Sequence, residues 1–390
     1  MKIAIVAPTE IPAKRANTIQ VLKMAQALNR LGHKTGLVSP FDPQKGKPVY
    51  EWNILAKHYG LQERFSIDWL PAHRFFRSYD YSLRSIFWAR DIHAEVLYTR
   101  LPQAAAFASM VGIPTVLEIH DYPQGKMGKF LFRLFLLGKG RKKLVVITNA
   151  LKKDLLNSFE IIDNNQFTIV APDGVDLQRY ENLPTAMESR EKAFVNLSKA
   201  DMNKINTTKI IAGYTGHLYA GRGINFILQL AKNLPEILFL IAGGEENDVQ
   251  ILSEKINQLN IGNILVTGFI SNTELPIYQA ACNFLLMPYQ SQIAASSGGD
   301  ISKYLSPMKL FEYLATGRPI ISSDLPVLRE ILNDDNAILL PHNDIEIWVR
   351  EIQKLIEDPK RQKEIAENAK RDSLTYSWDK RAQLIFGNID

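Results

Sequence analysis

The chain has 390 residues, 46% of them hydrophobic and 22% charged, with 46 Lys+Arg against 41 Asp+Glu. These proportions are ordinary for a globular protein and exclude a disordered or fibrous one, and the length exceeds what one core usually supports, so two domains are expected. Cys282, the one cysteine, excludes a disulfide framework and a cysteine-based zinc site, and fits a reducing compartment.

In chain order, the apolar run Met1 to Ala7 is cut short by Pro8, Thr9 and Glu10, too brief for a secretion signal. No uncharged apolar stretch approaches the roughly 18 residues of a membrane span. A cytoplasmic protein is expected. Ile3 to Ala7 reads as a strand, and Ile19, Leu22, Met24, Leu28 and Leu31 fall at helical spacing before a second strand at Thr35 to Val38. Asn17 with Gln20 reads as a capping box for that helix, and Gly32 ends it. Further strands are predicted at Val96 to Thr99, Thr115 to Ile119, Leu144 to Thr148 and Phe167 to Val170. This β-α rhythm makes residues 1–180 one parallel α/β domain. Residues 181–206 turn polar and read as a helical or loose linker.

A second rhythm fills residues 207–375. Strands are predicted at Ile210 to Tyr214, Leu238 to Ala242, Ile264 to Thr267, Phe284 to Met287 and Ile320 to Ser322, with helices at Ile224 to Leu234, Asp248 to Leu259 and Thr273 to Ala281. The closing stretch from Ile345 is helical with a break near Thr375 to Ser377, and helix 376–390 is expected to complete the first domain. Ligands of open α/β sheets lie beyond the carboxyl ends of the strands, so two such domains would face a shared cleft.

The motifs fall at those strand ends. Gly216-His217-Leu218-Tyr219-Ala220-Gly221-Arg222-Gly223 joins a strand to a helix. It is either a phosphate cradle, with Arg222 clamping an oxyanion, or simply a glycine-softened turn. It is not a Walker loop, because Arg222-Gly223 stands where Lys-Ser/Thr would. Gly243-Gly244-Glu245-Glu246 forms another turn, against which a nucleobase could rest. In Ser306-Pro307-Met308-Lys309-Leu310-Phe311-Glu312, Ser306 reads as N-cap and Pro307 as the first helical residue, with Leu310, Phe311 and Leu314 as the buried stripe and Gly317 and Pro319 as the stop. Lys309 in the first turn opposes the helix dipole unless an anion sits there. By itself Glu312 would be its i, i+3 partner.

S-P-M-K-L-F-E-Y-L-A-T-G-R-P resembles the donor motif of glycosyltransferase family 4, also called group 1, whose members are retaining enzymes with the GT-B fold. Gly213 to Gly223, Pro172-Asp173-Gly174-Val175-Asp176, the Ala27-Leu28…Leu31-Gly32-His33 pattern and His120-Asp121 are similar to other segments of that family. The resemblance implies two Rossmann-like domains facing a cleft and a metal-independent, retaining transfer of sugar from a nucleoside-diphosphate sugar to a glycan or lipid-linked acceptor, as in polysaccharide biosynthesis. It makes His120, Arg222 and Lys309 catalytic. It assigns the donor to Gly216, His217, Arg222, Ser306, Lys309, Leu310 and Glu312, with both cations on the diphosphate and Glu312 on the ribose hydroxyls. The acceptor side would hold Lys14, Arg15 and Asp121, and Asp121 could orient His120. Domain closure would exclude water. No metal or cofactor is implied, and no nucleic-acid partner. The chain departs from the family's pattern at Tyr304, eight residues before Glu312 where a glutamate is usual, at His217 where arginine is frequent, and at Pro12 to Ala16. Tyr304 and His217 motivate an alternative, a non-catalytic scaffold that binds nucleotide without transfer. The loop Ser296 to Asp300 could reach the donor hexose.

Charge is uneven, with 25 Lys+Arg against 15 Asp+Glu in residues 1–180 and 21 against 26 in the rest. Either the front half is a solvated basic surface, or it meets an anionic membrane or phosphate. The segment Lys126 to Lys143 mixes seven Lys+Arg with an apolar run. It reads as a buried helix with basic ends or, alternatively, as a helix lying on an anionic bilayer. A peripheral position at the inner face of the membrane is the corresponding expectation.

Overall fold

A computed structural model describes the chain apart from residues 14, 162, 164–165, 196–200, 203–204, 206–208, 295–298 and 388–390. Strands β1 (Lys2–Val6), β2 (Lys34–Phe41), β3 (Ser66–Pro71), β4 (Val96–Thr99), β5 (Thr115–Ile119), β6 (Lys142–Val146) and β7 (Thr168–Val170) form one sheet in the order β3-β2-β1-β4-β5-β6-β7. All its pairings are parallel, with Ile3 opposite both Thr35 and Val96. Ile3, Ala4, Ile5 and Val6 are all buried, because a parallel strand covered by helices on both faces needs an unbroken apolar run.

The connecting helices are α1 (Ala16–Arg30), α2 (Trp52–Tyr59), α3 (Tyr79–Asp91), α4 (Pro102–Met110), α5 (Gly125–Leu137) and α6 (Asn149–Phe159). Strand order reverses at β1: α1 and α2 step one way along the sheet, and α3 to α6 the other. Crossovers of one hand therefore put the two sets on opposite faces. In agreement, α4 packs between α3 and α5, its Ala104, Ala105 and Ala106 fully buried.

Two details correct the sequence reading. The capping box at Asn17 and Gln20 is not formed: α1 begins at Ala16 after Arg15, without a side-chain cap. Asn17 instead lies 3.4 Å from the Thr9 hydroxyl and Gln20 reaches Glu118 at 2.6 Å. Edge strand β3 was not predicted, because Ser-Ile-Asp-Trp-Leu-Pro is only half buried and lacks an apolar run.

The second sheet contains β8 (Ile210–Thr215), β9 (Ile237–Ala242), β10 (Ile264–Gly268), β11 (Phe284–Met287), β12 (Ile320–Ser323) and β13 (Ile338–Leu340), ordered β10-β9-β8-β11-β12-β13. Its helices are α7 (Ala186–Ala193), α8 (Ile224–Asn233), α9 (Glu246–Gln258), α10 (Leu275–Ala280), α11 (Met308–Thr316), α12 (Ile345–Glu357) and α13 (Pro359–Ser373). Here too the order reverses, between the adjacent but non-consecutive β8 and β11. The carboxyl ends of those two strands are where such a sheet leaves room for a ligand.

The chain divides into one unit of Met1–Gly174 with Trp378–Asp390 and another of Val175–Ser377. Helix α7, within the stretch read as a linker, is capped by a Thr185–Glu188 box and packs on α10 inside the second unit. The final helix, α14 (Trp378–Phe386), packs on α1 in the first unit. Among the described residues no helix is long and apolar enough to cross a membrane.

Candidate functional site

In the second unit, the loop after β8 lies against the segment after β11. Gln290 N–H bonds to Gly221 O at 2.9 Å and Ala294 N–H to Ala220 O at 3.0 Å. Glycine is required in this loop at Gly221 and Gly216 among others. A Cβ on Gly221 (φ +81°) would stand 2.0 Å from Gln292 O, and one on Gly216 (φ +130°) 2.9 Å from the Lys309 ammonium. Both backbones also lie in the region that side chains disfavour.

Arg222, held at the close of this loop, donates from Nη1 to the Tyr289 hydroxyl at 3.0 Å and lies over that ring, 5.2 Å from its centroid. Lys309 approaches from α11. Its Nζ sits 3.7 Å from the centroid of Tyr214 and 5.6 Å from that of Tyr289, two rings that are themselves buried. Aromatic faces attract a cation, but they do not satisfy its donors. Among the described residues the Lys309 Nζ, itself buried, has no hydrogen-bond partner, and neither has the buried Arg222 Nε. The i, i+3 bond to Glu312 is therefore not made. Burial, together with the nearby Arg222, holds the Lys309 pKa well below its ordinary value, against the opposing pull of Glu312.

Helix α11 starts one residue later than predicted. Pro307 is its N-cap, without a side-chain cap bond, and Ser306 lies outside it; Gly317 ends it in the left-handed conformation. Lys309 is thus the second helical residue, beside the N–H groups of the first turn. Leu310 has its side chain in the core and its N–H bonded to Pro307 O, so it offers a ligand neither. Glu312 accepts from Gln279 Nε2 at 3.4 Å, and Gln279 is held in turn by the Tyr180 hydroxyl at 3.0 Å and by Thr215 Oγ1 at 3.2 Å. The His217 ring stacks on Tyr219, and its buried Nδ1 has no partner among the described residues. Burial, then Lys309 and Arg222, keep its pKa below the usual imidazole range. Two cations and a helix N-terminus converge, and among the described residues no carboxylate is hydrogen-bonded to the Lys309 ammonium, which is the chemistry of an anion site. Gly216→Ala is expected to displace the Lys309 ammonium and weaken diphosphate binding about tenfold, about 1.4 kcal/mol. Calorimetric titration of the variant checks this.

In the first unit, His120 follows β5. Glu118 and His120, two apart, share one face of the strand end, and Glu118 Oε1 lies 2.5 Å from His120 Nε2. The fully buried Glu118 also accepts from Gln20 at 2.6 Å and from Tyr98, and pairs with Arg381 of α14 at 3.0 Å. Asp121 does not orient the imidazole: its Oδ1 accepts from Tyr122 N–H at 2.7 Å, and Glu118 holds the ring instead. Arg15 is exposed beside α1, and Lys14 lies outside the described residues, as do 296–298 of the loop proposed for the hexose. Tyr304 is buried.

Sequence reasoning missed Glu118, Arg381 and Gln279. The first carried a signal, a carboxylate inside the apolar strand Thr-Val-Leu-Glu-Ile; the other two carried none. Metal-ligating atoms of Glu118, His120 and Asp173 lie within 4.8 Å of one another. Glu118 of this set is already paired with the buried Arg381 guanidinium at 3.0 Å and with His120, an ion-pair network.

Residues 198–372 match the family model described as Glycosyl transferases group 1. The chain is 26% identical over 117 residues to the putative teichuronic acid biosynthesis glycosyltransferase TuaH of Bacillus subtilis, covering 30% of this chain and 27% of that one. It is 27% identical over 262 residues to the uncharacterised glycosyltransferase MJ1069 of Methanocaldococcus jannaschii, covering 65% and 58%. The matched region thus spans about a quarter and just over half of those two relatives. Among solved structures, Alr3699/HepE of Anabaena in complex with UDP superposes with a TM-score of 0.72 at 15% identity, over 100% of this chain and 99% of that one. The same protein was also solved with UDP-glucose. The chain therefore has the GT-B fold of two Rossmann-like domains, and its second unit carries the region similar to group 1 glycosyl transferases.

Proposed function

We propose that the chain is a retaining, metal-independent glycosyltransferase of family 4, moving a sugar from a nucleoside-diphosphate sugar to a glycan or lipid-linked acceptor in cytoplasmic polysaccharide assembly. The observation that carries this reading is the buried Lys309 ammonium at the start of α11, acted on by Arg222 and without a hydrogen-bond partner among the described residues. Breaking the sugar–phosphate bond leaves negative charge on the diphosphate. Fixed cations and helix amides stabilise that charge as it develops, a task that magnesium performs in other transferases. Glu312, braced by Gln279, accepts from the ribose hydroxyls. His120, fixed by Glu118, serves the transfer from the first unit, and Arg15, Asp121 and Lys14 belong to the acceptor side. The leaving phosphate takes the proton of the incoming hydroxyl on the face from which it departs, which retains the anomeric configuration.

Incubation with radiolabelled nucleotide sugars and acceptor extracts tests this, UDP-glucose being the first donor to try given the HepE complexes. Transfer that survives a chelator and keeps the donor's anomeric configuration, read by proton NMR, is expected. An inverted product contradicts the retaining course. Nucleotide binding without turnover of any donor favours the scaffold.

A further inference from the structure

We propose that the outer face of the first unit built by α3 and α5 docks on an anionic lipid bilayer. The amphipathic pattern of α5 is the reverse of a simple buried helix. Leu131, Phe132 and Phe135 face the core, whereas Met127, Phe130 and Leu137 are 57%, 53% and 77% exposed. With the half-buried Leu134, these positions fall at i, i+3, i+7 and i+10, one continuous stripe along the helix. Lys126, Lys129 and Arg133, all exposed, run beside it at i, i+3 and i+7. On α3, Leu83 and Phe87 are exposed beside the exposed Arg84, and the short turn before that helix exposes Phe75. Both helices lie on the same face of the sheet, flanking α4, so their outer sides point the same way.

Charge selects the occupant. From Tyr122 to Arg141 there are five Lys+Arg and no Asp or Glu, and all five are exposed. Lys142 and Lys143, which follow, turn inward instead: Lys142 Nζ donates to Leu136 O at 2.9 Å and Lys143 Nζ to Ile385 O at 2.7 Å. A second copy docking through this face would set basic side chains against basic side chains. A bilayer bearing anionic headgroups matches both features, taking up the aromatic and aliphatic stripe and attracting the flanking cations. The proposal rests on this surface alone and is independent of sugar transfer.

The test is co-sedimentation of the full chain with vesicles of phosphatidylcholine, with and without phosphatidylglycerol. Binding is expected only when phosphatidylglycerol is present. It should fall on the order of a hundredfold in Lys126→Gln/Lys129→Gln/Arg133→Gln, at about 1 kcal/mol per basic side chain. Phe130→Ser/Leu137→Ser should release it as well, while Met187→Ser, at a 73% exposed position of the second unit, should not. These positions are exposed, so melting temperatures should stay near wild type, which separates lost docking from lost folding. Failure to bind phosphatidylglycerol vesicles at low salt, or binding that all variants retain, overturns the proposal. So does a dimer in sedimentation velocity that Phe130→Ser/Leu137→Ser dissolves, because a second copy would then cover the face.

Discussion

Lys309→Met is expected to cut sugar transfer on the order of a hundredfold, about 2.7 kcal/mol of barrier, while raising the melting temperature of the ligand-free protein. Both effects follow from one geometry. The ammonium stands over Tyr214 and Tyr289 with no hydrogen-bond partner among the described residues, so without a ligand it is a desolvated charge, repelled by Arg222 more than Glu312 offsets. Methionine keeps the apolar stem and its contact with the rings and removes the charge. The gain is about 1 kcal/mol, or roughly 2–4 °C for a unit of this size. A structural lysine would behave oppositely, with a lower melting temperature and unchanged turnover. Thermal melts and single-turnover rates on the same preparations separate the two.

Arg381→Met should produce the largest loss of stability in the chain. The buried guanidinium donates to Pro172 O at 2.8 Å and Ala171 O at 3.1 Å and pairs with the fully buried Glu118. Removing one partner of such a pair costs about 3–5 kcal/mol, which is roughly 10 °C of melting temperature. Adding Glu118→Gln to that variant should recover part of the loss, because the stranded charge goes with it. Burial alone would raise the Glu118 pKa, but Arg381 above all, then His120 and Arg100, outweigh it and hold it below the usual carboxylate range. Its stabilisation is therefore present above the unfolded value of about 4.3 and is lost as pH falls towards the lowered folded value. In Arg381→Met that loss should begin at a higher pH, measurable by acid titration followed by circular dichroism.

The strands that flank both order reversals were legible because parallel strands covered on both faces carry unbroken apolar runs, as Ile3 to Ala7 and Phe284 to Met287 do. Edge strands β3 and β13 were not, since short or half-exposed edges need no such run. Lys309 stood out because a cation in a helix's first turn runs against the dipole, whereas Arg222 and Glu312 gained their roles from the family resemblance, since alone the glycine loop reads as a turn and Glu312 as the lysine's partner. The convergence of Lys309 and Arg222 near Tyr214 and Tyr289 depends on β8 lying beside β11, although 68 residues separate Thr215 from Phe284. The Glu118–Arg381 pair was hidden for the same reason. It joins a mid-chain strand to the last helix, and no local pattern marks Arg381 as buried. The cap of α11 slipped by one residue because Ser-Pro-Met reads equally well with either of its first two residues outside the helix.

Calorimetric titration of the full chain with a panel of nucleoside diphosphates, alongside inorganic pyrophosphate, tests the diphosphate grip most directly. One nucleotide should bind one to one, about a hundredfold more weakly in Lys309→Met. Glu312→Gln should weaken the nucleotide but not pyrophosphate, which has no ribose. Because the free ammonium's pKa is lowered by burial and by Arg222, and a bound anion raises it again, binding should draw protons from the buffer and weaken as pH rises through the lowered value. Failure of every nucleoside diphosphate to bind, or wild-type affinity in Lys309→Met, would contradict the assignment of this site.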